Sequence, residues 1–142
     1  MKFFTESDKS KIESTIAEAE LLTSGEIRVH IEKKCKENVL DHAAFIFEKL
    51  EMHKTDLRNG ILIYLAYEDR KLAIIGDVGI NQKVTVDFWE ETKELMLGYF
   101  KQNEFTLGFC KGILNAGKQL KMHFPYEKGD KNELSNEISF GK

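Results

Sequence analysis

Three stretches of this chain bring hard oxygen ligands together with glycine. Asp77 stands in Gly76-Asp77-Val78-Gly79, Asn59 precedes Gly60, Glu26 follows Gly25, and Asp56 lies in the polar loop just before Asn59. Calcium takes about six to eight oxygens from carboxylates, amides and backbone carbonyls. Glycines let a loop turn its carbonyls inward toward such an ion. The same residues are also the ordinary punctuation of turns, so a divalent-cation site and turn chemistry alone both fit them. The spacing is not that of an EF-hand, because the chain has no D-x-[DN]-x-[DN]-G run.

Other chemistry is sparser. Cys35 and Cys110 are far apart, and neither has a second Cys or a His at zinc-ligand spacing. Neither cysteine opens a phosphate-cradling loop ending in Arg, and no D-x-D pair occurs. His30 alternates with Arg28 and Glu32 on the polar side of a strand pattern, where titration against Glu32 or a helix terminus is one reading and a solvated or hydrogen-bonded surface histidine the favoured one. His42, His53 and His123 read as isolated surface groups in the same way.

The elements that must position these residues follow from periodicity. Thr5, Ser7 and Asp8 offer cap oxygens to a first helix in which Ile12, Ile16 and Ala19 recur at helical spacing, ended by Gly25. Glu26 to Glu32 alternates, placing Ile27, Val29 and Ile31 on one face of a strand. Asn38 caps a second helix with a stripe of Leu40, Ala43, Ala44, Phe47 and Leu50. Ile61 to Tyr67 is apolar throughout, as a central strand covered on both faces requires. Glu68-Asp69-Arg70 turns it into Lys71–Ile75, completing a hairpin. Asp87 and Glu90 suggest a capping box for a third helix, whose Phe88, Trp89, Leu95, Met96, Tyr99 and Phe100 read as core. A fourth helix runs from Phe105 to about His123 and stops before Pro125. Its Gly108, Gly112 and Ala116 fall four apart, a ladder of small residues that invites close packing. The segment from Tyr126 on is polar and reads as an extended tail pinned by Ile138 and Phe140.

A strand–helix–strand unit makes a right-handed parallel crossover, and the hairpin adds an antiparallel strand. The expected fold is therefore α/β, an α/β/α sandwich with a small mixed sheet of three to four strands and about four helices. In that topology the end of the third strand lies beside the starts of the first two. Glu26, Asn59, Gly60, Gly76 and Asp77 then share one sheet edge, with Asp56 adjoining.

Specific segments also resemble the TPM domain: Thr23-Ser24-Gly25-Glu26-Ile27-Arg28-Val29, Arg58-Asn59-Gly60-Ile61-Leu62-Ile63-Tyr64, Glu68-Asp69-Arg70-Lys71 and Gly76-Asp77-Val78-Gly79-Ile80. Phe100, Phe105 and Gly108 around the helical turn add to the likeness, which spans roughly residues 5 to 125. The ending from Asn132 to Phe140 is similar to that of short, stand-alone bacterial members. The resemblance implies an α/β/α sandwich, calcium binding as reported for some members, and the acid phosphatase activity ascribed to plant members. It sets the domain at 1–125 and the tail at 126–142.

Composition supplies the exclusions. A net charge of −3 over 142 residues gives no electrostatic attraction to nucleic acid or an anionic membrane. With neither a signal-peptide core nor a membrane-spanning run, the expectation is a cytoplasmic monomer that meets an unidentified protein partner. The sequence supplies carboxylates and amides at the Asp77 edge but no activated nucleophile. It therefore favours a non-catalytic binding or accessory module with Ca2+ at Asp77, Gly76, Asn59, Glu26 and Asp56 over a weak metal-dependent phosphatase at the same edge.

Overall fold

The structure is a computed structural model that describes residues 4–85, 87–126 and 132–141. It divides into two compact units, Met1–Gly25 with Trp89–Asp130, and Glu26–Phe88 with Lys131–Lys142.

The first unit is helical. Helix α1, Glu6–Ala19, is opened by Thr5, whose hydroxyl accepts from the Asp8 N–H while Asp8 accepts from the Thr5 N–H. This reciprocal pair satisfies two donors that a helix start leaves orphaned. The helix buries Ile12, Ile16 and Ala19, the stripe that its spacing predicts. In the same unit a later pair of helices runs over Glu90–Phe100 and Phe105–Lys121. Their packing explains the small-residue ladder. A Cβ on Gly112 would lie 2.4 Å from the Met96 sulfur, and one on Gly108 would lie 2.6 Å from the Phe100 ring. The expected Asp87 capping box does not form. Trp89 occupies the N-cap position without a side-chain cap bond, and Asp87 instead accepts from the Thr85 hydroxyl.

The second unit holds the sheet. Strand β1, Glu26–Glu32, leads through helix α2, Val39–Lys49, to β2, Gly60–Ala66, and β3, Lys71–Gly76. The chain continues through the short helix α3, Val78–Asn81, so the Gly76–Gly79 stretch is a strand end and a helical turn rather than an open loop. In chain order the two later helices of the first unit are α4 and α5, and the closing strand Ser139–Phe140 is β4. The sheet order is β3-β2-β1-β4, with β1 parallel to both β2 and β4, and β2 antiparallel to β3. The α/β class and the mixed sheet are those the sequence predicts, with five helices and four strands among the described residues.

All seven residues of β2 are buried. Leu62, Tyr64 and Ala66 project to the side where α2 lays down Ala43, Ile46 and Phe47, and Cys35 and Leu134 complete that cluster. Strand β1 departs from expectation. Its alternation is real, yet its polar side is not solvated: His30 is 4% exposed, and Glu26 and Glu32 are buried too. The register sets His30 beside Tyr64 and Glu32 beside Ala66, so this polar row borders the face that α2 covers. Beyond β1 the C-terminal segment adds β4, which pairs His30 with Ser139. Leu134 and Ile138 are buried, whereas Phe140 is 50% exposed.

Candidate functional site

The edge that topology singled out does assemble. Gly60 pairs with Glu26, and Ile61 pairs with Gly76. The Asp77 N–H donates to the Gly60 carbonyl at 2.9 Å, and the Glu26 N–H donates to the Asn59 carbonyl at 3.2 Å. Glu26, Asn59, Gly76 and Asp77 therefore stand together. Asp56 lies exposed in the adjoining loop, its N–H donating to a Glu133 carboxylate oxygen at 3.1 Å.

The Asp77 carboxylate, one Glu26 oxygen and the Gly76 carbonyl, however, already have partners. Both Asp77 carboxylate oxygens accept from the Arg58 guanidinium at 2.8 Å, and one also accepts from the Val78 N–H at 2.7 Å as the N-cap of α3. This bidentate fork is the strong geometry for an Arg–carboxylate pair. The Asp77 carboxylate in turn holds the Arg58 pKa above its ordinary value, chiefly through the hydrogen bonds. Arg58 takes up this position with φ 51°, in the left-handed region that non-glycine residues rarely enter. One Glu26 oxygen accepts from the Glu133 and Leu134 N–H groups at 2.8 and 2.9 Å. The Gly76 carbonyl accepts from the Asn81 amide at 3.0 Å. A cation at Asp77 would have to replace a guanidinium, so the donor set in this conformation does not fit a resident calcium ion. Among the described residues no group of three or more His, Cys, Asp or Glu side chains is arranged to hold a metal. The glycine of this turn serves close approach instead. A Cβ on Gly79 would fall 2.2 Å from the Leu57 carbonyl oxygen, where its N–H reaches the Arg58 carbonyl.

The opposite end of the same strands holds a site that alternation concealed. A cavity of about 790 Å³ opens where β1 and β4 end, walled by α2 and by residues 34–37. Its polar floor is built on Glu32. One Glu32 oxygen is 3.0 Å from His30 Nε2, and the other is 2.6 Å from His42 Nε2 and also accepts from the Tyr64 hydroxyl. Burial works against this carboxylate, but the Tyr64 and His30 hydrogen bonds with the two histidines outweigh it, and its pKa lies below the ordinary value. An ionised carboxylate only accepts, so both Nε2 atoms donate. Burial lowers the His30 pKa more than Glu32 raises it, which favours the neutral ring. His30 Nδ1, 2.9 Å from the Ser139 oxygen, then accepts from that hydroxyl. The Tyr64 pKa is driven well above the normal range by burial, then by its bond to Glu32. Stacking fixes the rings: His30 lies 5.8 Å from Tyr64 at 11°, and His42 meets Tyr64 edge-on at 5.5 Å. His42 is thus not isolated. Its Nδ1 carries a second carboxylate, that of Glu37.

Sequence reasoning missed this cluster. Its one available signal was the pairing of His30 and Glu32, two residues apart on a strand and hence on one face. No spacing rule links them to His42 or Ser139.

The fold and both sites can now be set against known proteins. A TPM domain family model matches residues 1–119, and the chain belongs to that family. It is similar to the BA42 protein of the psychrophilic bacterium Bizionia argentinensis, solved by NMR. The two share 45% identity over 99% of this chain and 97% of that one, with a TM-score of 0.93. The N-terminal domain of the cg2496 protein of Corynebacterium glutamicum shares the fold at 12% identity, covering 98% of this chain and 80% of that one, with a TM-score of 0.65. The search for curated relatives found no match. No described helix is long and apolar enough to cross a membrane.

Proposed function

We propose that this TPM domain is a non-catalytic binding module whose ligand enters the cavity over Glu32. The observation that carries this reading is a cavity of about 790 Å³ at the carboxyl ends of the parallel strands β1 and β4, with a buried polar floor. In open α/β sheets ligands settle outside the carboxyl ends of strands. The volume falls in the range of small-molecule sites, and the lining sets histidines, carboxylates and lysines beside Phe45, Ile46, Leu50 and Phe140. The test is an amide NMR screen of the full chain against mixed neutral and charged fragments. Hits converging on His30, His42 and Ser139 support the reading, and hits scattered over the surface or absent overturn it.

A calcium site at Asp77, Gly76, Asn59, Glu26 and Asp56 is the second reading, supported by the convergence of those residues on one edge. It requires Arg58 to leave Asp77. Calcium added to EDTA-treated protein should then shift the Gly76–Gly79 amides together with the Arg58 side-chain Nε–H. Saturating calcium that leaves the Arg58 resonance in place removes this reading. The acid phosphatase that the family resemblance suggests would use a metal at the same edge and meets the same obstacle.

A further inference from the structure

We infer that the cavity is a receptor for a small organic anion, an anionic head on a flat apolar body, and that the Glu37 side chain occupies the head position. This rests on the cavity being the ligand site and names the ligand class. His42 has a carboxylate at each ring nitrogen, but the two are unlike. Glu32 is buried and fixed by three donors at the floor. Glu37 is 60% exposed and comes from the loop before α2. The Glu37 side of this contact stands in solvent, and a carboxylate that is already hydrated gains little from one such contact. The Glu37 carboxylate can therefore be exchanged for that of a ligand at small cost. The loop itself need not move, because the Lys71 ammonium holds the Cys35 and Glu37 carbonyls at 2.8 and 3.3 Å.

The surroundings match such a ligand. Lys34, Lys36 and Lys49 line the cavity, three cations set against the carboxylates of Glu32 and Glu37. Phe45 and Phe140 line it as well, and they are 60% and 50% exposed. Large apolar side chains left open at a cavity mouth suit the body of the ligand. An anion seated at His42 Nδ1 would direct its body toward that aromatic mouth.

The experiment uses the full chain at fixed ionic strength, with benzoate, phenyl phosphate, inorganic phosphate and benzyl alcohol as probes. Binding is followed by amide shifts and by the His42 ring nitrogens. Benzoate and phenyl phosphate should shift the His42 ring and saturate. Glu37→Gln should tighten both several-fold, because it removes the internal competitor. A Glu37 that only staples the start of α2 would not produce that gain. Phe45→Ala, at an exposed position, should weaken phenyl phosphate while leaving inorganic phosphate unchanged. Benzyl alcohol binding as tightly as benzoate, or Glu37→Gln leaving the anion affinity unchanged, overturns the anion site while the cavity remains a ligand site. No localised shift with any probe overturns both.

Discussion

Glu32 shows how one buried carboxylate organises a site. It accepts from His30, His42 and Tyr64, and each donor loses its partner if the charge is removed. Leaving a buried donor unsatisfied costs about 1–3 kcal/mol. Glu32→Gln puts an amide where two oxygens accepted and removes the charge that all three donors share. The expected result is a loss of about 1–3 kcal/mol in urea unfolding, and unchanged stability would contradict the network. The same cluster sets a pH dependence. His30 has its folded pKa lowered, so the unfolded chain binds more protons below its ordinary value of about 6.5. Glu32 is also lowered, so it acts in the same direction nearer pH 4. Stability is therefore full above about pH 7 and falls on acidification, first through His30 and then through Glu32. His42 and Lys49 add to the lowering at His30 as neighbouring positive groups. A melting temperature that is flat from pH 7.5 to 5, or unaltered in slope by His30→Gln, would refute the assignment.

Between elements, two contacts decide more than propensity does. Glu26 begins β1, yet its side chain holds the backbone of the C-terminal segment through the Glu133 and Leu134 N–H groups. Glu26→Gln keeps the shape and weakens both charge-assisted bonds. Hydrogen exchange at these two amides should then speed up while the β2 amides stay protected. Equal protection in both proteins would show that the segment is held by Leu134 and Ile138 alone. In the helical unit, the α4–α5 approach depends on Gly112 lying under Met96. A leucine there must push Met96 aside, and overpacking of this kind costs about 1–3 kcal/mol. Gly112→Leu should lower the urea midpoint by a corresponding amount, and an unchanged midpoint would mean the two helices are not in close contact.

For the molecule as a whole, the sheet is completed by residues far along the chain, since His30 and Ser139 are 109 apart in sequence. Removing residues 132–142 takes away two buried aliphatic side chains, each worth about 1.5–3 kcal/mol. It also removes the Glu133 and Leu134 N–H groups from Glu26 and opens the cavity wall at Ser139. Truncation should lower the urea midpoint markedly and abolish fragment shifts at His30 and His42. A truncated chain with full stability would show that the segment from residue 132 adds nothing to the second unit. The relative of 45% identity matches nearly the whole chain at a TM-score of 0.93, so a C-terminal segment is aligned there too.

Periodicity alone determined the elements: the all-apolar Ile61–Tyr67 run as a central strand, Ile12 and Ile16 as a helix stripe, and Gly108 and Gly112 as a close-packed ladder. It also determined the convergence of Glu26, Asn59 and Asp77, because a parallel crossover followed by a hairpin has few outcomes. What each oxygen does there was a tertiary matter. Arg58 and Asp77 are 19 residues apart, and no spacing rule says that a guanidinium claims that carboxylate. Alternation stated that Arg28, His30 and Glu32 share a face, but whether a face meets water depends on what the rest of the chain lays beside it. Here α2 brings His42 and the C-terminal segment brings Ser139, and burial turns a surface row into a coupled site. Two residues of strand carry no periodicity of their own, so β4 and the cavity that it walls exist only through pairing with β1.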